Sequence, residues 1–179
     1  IPLALAYPSI DLSSVQMPFN VRVDPAIEGT LLRIDNLYFT DENVDTSDTD
    51  IPDDDPPLEG PDPYIDGEQR LSLGAFYEGG YSDIVEINET DTHLYIWSNS
   101  MSIGDSDDRI EGSVSDELLI GTLGWWGGGI YWDDPRDMST WTTFNISVKS
   151  TSTDVTEFEI GMGEGDSGLQ EWVDLVSLG

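Results

Sequence analysis

The sequence predicts an all-β protein, an antiparallel β-sandwich of about ten short strands. Apolar and polar residues alternate with a period of two in Phe19–Val23, Phe144–Lys149 and Glu157–Met162. Gly, Pro, Asn and Asp separate these runs, and no amphipathic pattern of helical period continues for a dozen residues. Such alternation places one face of a strand in a core and the other in water. The expected architecture is a sandwich of the jelly-roll type.

Further runs rich in β-branched and aromatic residues are predicted as strands. They are Leu31–Phe39, Leu71–Tyr77, Asp83–Ile87, His93–Trp97, Leu118–Leu123 and Trp172–Val176. At 179 residues the chain is long enough for one good core, and a second full domain would be cramped.

The segment from Asp41 to Gln69 differs sharply in composition from the rest of the chain. It holds twelve acidic residues, no Lys or Arg, and five of the ten prolines. Proline and mutually repelling carboxylates favour an extended, semi-rigid linker. The predicted organisation is therefore a short β block at 1–40, a linker at 41–69 and the main β-sandwich at 70–179.

The charge balance excludes several classes of partner. Six Lys and Arg against 37 Asp and Glu give a net charge of −31, which repels nucleic acid and anionic membranes. No apolar run approaches the roughly 18 residues of a membrane helix, and Ile1–Tyr7 is too short, without a basic flank, to be an intact signal peptide. We expect no nucleic-acid binding, no membrane insertion, and a mature or excised chain. The absence of Cys excludes disulfides, zinc-thiolate sites and a thiol nucleophile.

Short aromatic and glycine-rich motifs follow one another in the main block. They are Leu71–Tyr77, Leu94–Ser100, Gly124–Ile130, Asp137–Ser139, Phe144–Lys149, Phe158–Met162 and Glu171–Leu175. Their order resembles the first two-thirds of the galactose-binding-like jelly-roll modules of glucan- and agar-degrading glycoside hydrolases. The elements that complete those modules are found here at the other end of the chain, as Ile1–Leu3, Ile10–Val15 and Ile34–Phe39. The resemblance implies a sandwich with circularly permuted or swapped strands.

The same resemblance implies a structural calcium ion where the first and last strands of the module meet. The ligands would be Asp35 with Glu78 or Asp83. Calcium takes roughly six to eight oxygen ligands, and carboxylates are in excess here. The alternative is a solvated acidic face. Asp45, Asp48 and Asp50 in the linker lack the glycine of an EF-hand loop and are a weaker candidate.

The run from Gly124 to Gly129 contains two of the six tryptophans and four glycines. Sugar rings stack on exposed aromatic faces, and glycine lets a ligand approach the backbone. Trp125, Trp126, Tyr131 and Trp132 are therefore predicted to bind a polysaccharide. The alternative is that these aromatics are structural and belong to the sandwich core.

Two sequons, Asn88-Glu89-Thr90 and Asn145-Ile146-Ser147, fit the N-glycosylation pattern and predict modification at Asn88 and Asn145. Chance matches in a chain rich in Ser and Thr are the alternative. Occupied sites would agree with a secreted, extracellular or cell-surface location, which is the predicted one.

Enzymatic activity is not expected. The run Gly165-Asp166-Ser167-Gly168 resembles the nucleophile loop of trypsin-like proteases, and His93 could complete a triad. However, His93 lacks the Ala-His context of that family, and a glycine-rich hairpin between Met162 and Trp172 explains the run better. No pair of carboxylates is singled out for glycoside cleavage.

Two functions of different classes are consistent with these features. In the favoured one, Ile1–Phe39 of one molecule completes the sandwich of its neighbour across the 29-residue linker, which builds a head-to-tail extracellular filament. In the alternative, the permuted strands close within one chain that serves as a carbohydrate-binding module. Buried aromatics between subunits would favour the first, and an exposed aromatic row would favour the second.

Overall fold

Two antiparallel sheets pack face to face, which confirms the predicted all-β sandwich. The computed structural model describes residues 1–24, 28–40, 64–65, 68–73, 76, 91–109, 114–151, 155, 157–165 and 168–176, with backbone alone for 64–65, 68–70 and 72.

The described strands have two to ten residues, and the described helices have three or four. A four-residue helix α1 (Leu3–Ala6) and two 3₁₀ turns (Leu12–Ser14 and Trp97–Asn99) accompany the strands. The strands are β1 (Met17–Val23), β2 (Leu31–Thr40), β3 (Tyr64–Ile65), β4 (Glu68–Ser72), β5 (Thr92–Ile96), β6 (Met101–Ser106), β7 (Ser115–Ile120), β8 (Trp126–Trp132), β9 (Thr143–Ser150), β10 (Glu159–Gly163) and β11 (Gln170–Asp174). Within the described part of the chain, no helix has the length and apolar character needed to cross a bilayer.

The first sheet has β1 at its centre, in the order β11-β10-β1-β8-β5. Alternation along β1 directs Phe19, Val21 and Val23 into the core, where each is almost fully buried. Asn20 and Arg22 lie on the opposite, outer face. Strand β1 pairs with β8 on one side and with β10 on the other, both from the C-terminal half of the chain.

The second sheet is organised around β2. Strand β9 pairs along nearly the whole of β2, whereas β7 pairs with Leu31–Ile34 and β4 with Tyr38–Thr40, so β7 and β4 share the other edge. The register of β2 against β9 breaks between Asp35 and Tyr38, and Asn36 adopts a φ of 55° there. Asparagine tolerates this left-handed conformation better than most residues, and the break lets β2 change partners.

Both strands of the N-terminal block are thus interior strands, and they pair with strands of the main block of the same chain. The side chains of the N-terminal block also pack against those of the main block in the core. Phe144 of β9 lies 6.0 Å from Phe19 and 5.1 Å from Phe39 between ring centroids, and Phe76 meets Phe19 edge-on at 5.4 Å. Residues from both blocks therefore belong to one hydrophobic core.

Most predicted strands match observed ones to within a few residues. Strands β6 and β8 were not predicted, because glycine interrupts the alternation of Met101–Ser106 and fills the middle of Trp126–Trp132. Strand β4 begins at Glu68, inside the segment predicted as a linker, and β3 lies wholly inside it. The predicted strand Asp83–Ile87 lies outside the described residues.

Replacing the buried Leu37 of β2 with alanine should lower the free energy of unfolding by about 2–5 kcal/mol, because the lost contacts leave a cavity in the shared core. The matched control is Leu5→Ala, at a side chain 80% exposed, which should change it by less than about 0.5 kcal/mol. Denaturant unfolding of both variants measures the difference. Equal effects at the two positions would contradict the placement of β2 in the core.

Candidate functional site

The four aromatics predicted to bind sugar separate onto two faces of the sandwich. Alternation along β8 turns Trp126 and Trp132 into the core, where they are 0% and 2% exposed. Their rings are therefore not presented to solvent for stacking on a sugar. Tyr131 of the same strand faces outward and is partly exposed, and Trp125, just before the strand, is also partly exposed. A role for these two in sugar binding stays a prediction.

Tyr131 belongs to a row of aromatic rings on the outer face of the first sheet. Its ring stacks on His93 at 4.8 Å between centroids and lies 5.8 Å from Tyr95. The row continues from Tyr95 to Trp97 at 6.0 Å and from Trp97 to Trp172 at 6.2 Å. All five side chains are partly exposed. The row therefore crosses the sheet from the edge strand β5 to the opposite edge strand β11.

Glycines on the inner strands give this row its shape. A Cβ added at Gly127 would lie 2.6 Å from the Trp97 ring, and one added at Gly161 would lie 2.8 Å from the Trp172 ring. Both distances are too short for a side chain, so glycine at these two positions leaves the room that the indoles occupy against the backbone. Trp172 thus lies on an edge strand and Trp97 just after the other one, and glycines of β8 and β10 leave room for the two indoles.

A cleft of about 500 Å³ opens beside the aromatic row. Its described lining is Gln16, Met17, Tyr95, Trp97, Tyr131, Gly165 and Gln170. None of these side chains is charged. Two amides and two phenol hydroxyls supply hydrogen-bonding groups, and the rings supply apolar faces. This mixture of aromatic surface and a few polar groups is typical of small-molecule and sugar sites.

Charged groups stand at the borders of the aromatic row rather than in the cleft. The Arg22 guanidinium lies 4.1 Å from the centre of the Trp172 ring and donates a hydrogen bond to the Glu159 carboxylate. At the other end, His93 Nε2 lies 2.9 Å from Asp133 Oδ1. These contacts hold the two end rings in place.

Sequence reasoning missed most of this site. The run His93–Trp97 was predicted as a strand, and its period of two already places His93, Tyr95 and Trp97 on one face. That signal could have been used. The approach of Trp172 from the other edge could not be predicted, because it depends on the strand order.

The residues predicted to bind calcium are partly described. Asp35 is buried in β2, and its carboxylate accepts a hydrogen bond from the Asn36 backbone N–H. Glu78 and Asp83 lie outside the described residues. Asp116 of β7 is a further carboxylate near Asp35, fully buried, and neither of its oxygens has a hydrogen bond of normal geometry to any described residue. Asp35 and Asp116 would offer the oxygens that calcium prefers, but the described residues contain no group of three or more side chains able to hold a metal.

Burial raises the pKa of Asp116 to about 7, and the negative charges of Asp105 and Asp35 add to this effect. The Phe76 backbone N–H approaches closely enough to favour the ionised form, but burial outweighs it. Asp116 is therefore an ionisable group whose charged form is disfavoured by the fold.

The predicted glycosylation sites and the run that resembles a protease loop are only partly described. Asn145 lies on β9, is partly buried, and its Nδ2 donates a 3.4 Å hydrogen bond to Thr40 Oγ1. Asn88 lies outside the described residues, as do Asp166 and Ser167 of the run that resembles a protease loop. Glycosylation stays a prediction.

Comparison of the chain with protein families, with curated proteins and with solved structures found no match. The site is therefore interpreted from its own geometry.

Asp116→Asn should remove a pH dependence of stability. The folded pKa of about 7 exceeds the ordinary 3.8, so the protonated carboxyl stabilises the fold below about pH 4, and this stabilisation is lost as the pH rises to 7. Asparagine cannot ionise. In chelator-containing buffer, the free energy of unfolding of the variant relative to wild type should therefore rise by up to about 4 kcal/mol between pH 4 and pH 8. A pH-independent difference would show that Asp116 does not titrate in this way.

A calcium titration tests whether the same carboxylates bind the ion. If Asp35 and Asp116 ligate the ion, calcium at constant ionic strength should raise the Tm of wild type by mass action and leave that of Asp116→Asn nearly unchanged. An unchanged Tm of wild type throughout the titration would mean that calcium is absent or incidental.

Proposed function

We propose that this protein is a non-catalytic carbohydrate-binding module, which binds a polysaccharide along the aromatic outer face of its first sheet. The observation that carries the proposal is the cleft of about 500 Å³ that Tyr95, Trp97 and Tyr131 line, with no charged side chain among its described lining residues. Aromatic rings at spacings of 5.8 and 6.0 Å offer consecutive apolar faces to a sugar chain. The amides of Gln16 and Gln170 also line the cleft: Gln16 Nε2 donates to the Asp133 carbonyl and Gln170 Nε2 to Met17 Sδ, and we propose that their amide oxygens accept from sugar hydroxyls.

Charge narrows the class of polysaccharide. A net charge of −31 repels sulfated or carboxylated chains, and within the described lining there is no cation to bind an acidic group. A neutral β-glucan or galactan fits the site best. The resemblance to modules of glucan- and agar-degrading enzymes supports the same class, and a secreted or cell-surface location would follow from it.

Assembly by strand exchange is the alternative function. In the structure, β1 and β2 fill interior positions of both sheets within one chain. A swapped filament would make the same contacts between neighbouring chains, so the closed fold supports the module without testing the filament. The open cleft beside the aromatic row favours the module.

Removing a ring from the cleft should weaken binding more than it weakens the fold. For Trp97→Ala and Tyr131→Ala, we expect the Kd for a neutral β-glucan or galactan to rise about tenfold or more, which corresponds to about 1.4 kcal/mol of lost stacking. Isothermal titration calorimetry and quenching of Trp fluorescence measure the change. Trp125→Ala separates the cleft from the prediction made from sequence: Trp125 is partly exposed but does not line the cleft, so its loss should leave the Kd unchanged if the cleft is the site.

Two results would contradict the proposed site. One is an equal loss of affinity in Trp125→Ala and Trp97→Ala, which would place the site elsewhere. The other is no binding by wild type across a panel of neutral polysaccharides, which would remove the function itself.

The oligomeric state separates the module from the filament. We expect the purified chain to remain monomeric in analytical ultracentrifugation at high protein concentration and in high salt, since its N-terminal strands are already paired. Electron microscopy provides the second measurement. Filaments that disappear when residues 1–40 are deleted, and that are capped when this segment is added in trans, would establish strand exchange instead.

A further inference from the structure

Asn20 is a polar side chain in an unusual place, and the role inferred for it rests on the proposed carbohydrate-binding function. It lies at the centre of β1, the central strand of the first sheet, and points to the outer face that carries the aromatic row. Yet its exposure is 0%. Tyr95 covers it, and the Tyr95 hydroxyl donates a hydrogen bond to Asn20 Oδ1.

The amide nitrogen of Asn20 has no hydrogen-bond partner among the described residues. Buried polar groups are almost always paired, because burial removes their bonds to water. A buried donor without a partner lowers the stability of the fold, so stability alone does not explain an asparagine at this position of a central strand. Asn20 lies behind the Tyr95 ring, which lines the cleft, so a ligand bound in the cleft could accept the hydrogen bond that the amide nitrogen lacks.

Glycines on both neighbouring strands make the room that Asn20 occupies. Asn20 is in register with Gly129 of β8 and with Gly161 of β10. A Cβ added at Gly129 would collide with Asn20 Oδ1. The cross-sheet row reads Trp172, Gly161, Asn20, Gly129 and Tyr95. The Asn20 amide thus lies in this row between Trp172 and Tyr95, and Tyr95 covers it.

We propose that Asn20 determines specificity in the cleft: its amide nitrogen donates a hydrogen bond to an oxygen of the bound neutral sugar after the Tyr95 side chain moves aside. Tyr95 is partly exposed on the edge strand β5, and a rotation of its side chain would uncover the amide. The tyrosine hydroxyl holds the amide in the free protein, and the sugar replaces it. The rings of Trp97 and Tyr131 then supply stacking, and Asn20 determines which sugar oxygen is accepted at one position.

The test compares Asn20→Leu, Tyr95→Phe and the double variant, with laminarihexaose, cellohexaose and agarohexaose as probes. Leucine has the same branched shape as asparagine and no polar group, so it removes the unpaired amide nitrogen without opening a cavity. We expect Asn20→Leu to raise the Kd of the bound probe about tenfold while its Tm stays the same or rises. Tyr95→Phe keeps the ring and releases the amide, and it should bind as tightly as wild type or more tightly. The double variant should bind as weakly as Asn20→Leu.

A purely structural role for Asn20 predicts the reverse result, a lower Tm with unchanged Kd, and that result overturns the proposal. So does a large loss of affinity in Tyr95→Phe combined with none in Asn20→Leu, which would make the Tyr95 hydroxyl the sugar contact. In either case, weakened binding by Trp97→Ala would leave the proposed function standing. If wild type binds none of the three probes or the wider polysaccharide panel, both proposals fail.

Wild-type protein offers a measurement that needs no variant. The side-chain NH₂ resonances of Asn20, assigned by NMR, should shift downfield and exchange more slowly with water when the probe that binds is added. Movement of the Tyr95 and Tyr131 ring resonances without any change at the Asn20 amide would overturn the proposal even if Asn20→Leu failed to fold.

Discussion

The whole sandwich depends on the pairing of β1 and β2 with strands that lie far along the chain. Phe19 stands opposite Ile130, and Leu32 stands opposite both Leu118 and Ser150. Closing such long loops is not prohibitive, since each doubling of loop length costs only about 0.6 kcal/mol more. In return, both strands acquire partners on each side, and their apolar residues complete one core. Without them each sheet would lose a central strand, and the two remaining halves would expose unpaired edges.

Placing β1 at the centre of the first sheet also creates the outer face on which the proposed site lies. Its neighbours β8 and β10 bring glycines to that face, and these glycines let the indoles of Trp97 and Trp172 lie against the backbone. A sheet with larger residues in the middle would hold the same rings away from its surface. The glycines of β8 and β10 therefore leave room for the indoles on this face, and the resulting aromatic surface suits a ligand with flat apolar faces and peripheral hydroxyls.

Several of the described Arg and Lys side chains form ion pairs that neutralise some carboxylates locally, although the chain as a whole is strongly acidic. Arg33 bonds both Asp108 and Glu117, Lys149 also reaches Asp108, and Arg136 bonds Asp91. The Lys149–Asp108 pair is exposed and contributes little stability, whereas the Arg33 side chain is mostly buried. The excess of carboxylates remains, so added salt should screen the repulsion within the fold. The described lining of the cleft carries no charged side chain, in contrast to the strongly acidic composition of the chain.

The sequence by itself determined the all-β class and the approximate positions of most strands, because a period of two leaves its mark in runs such as Phe19–Val23 and Phe144–Lys149. It could not determine which aromatics share a face across the sheet. Trp126 and Tyr131 lie in one strand, separated by an odd number of residues, so their side chains point to opposite faces of the sheet. Trp126 is therefore in the core, and Tyr131 lines the cleft. Trp97 and Trp172 are distant in sequence and meet because β5 and β11 flank the same glycine-bearing strands. The burial of Asn20 and Asp116 was likewise decided by tertiary structure, since local alternation cannot show that Tyr95 covers the first or that the core encloses the second.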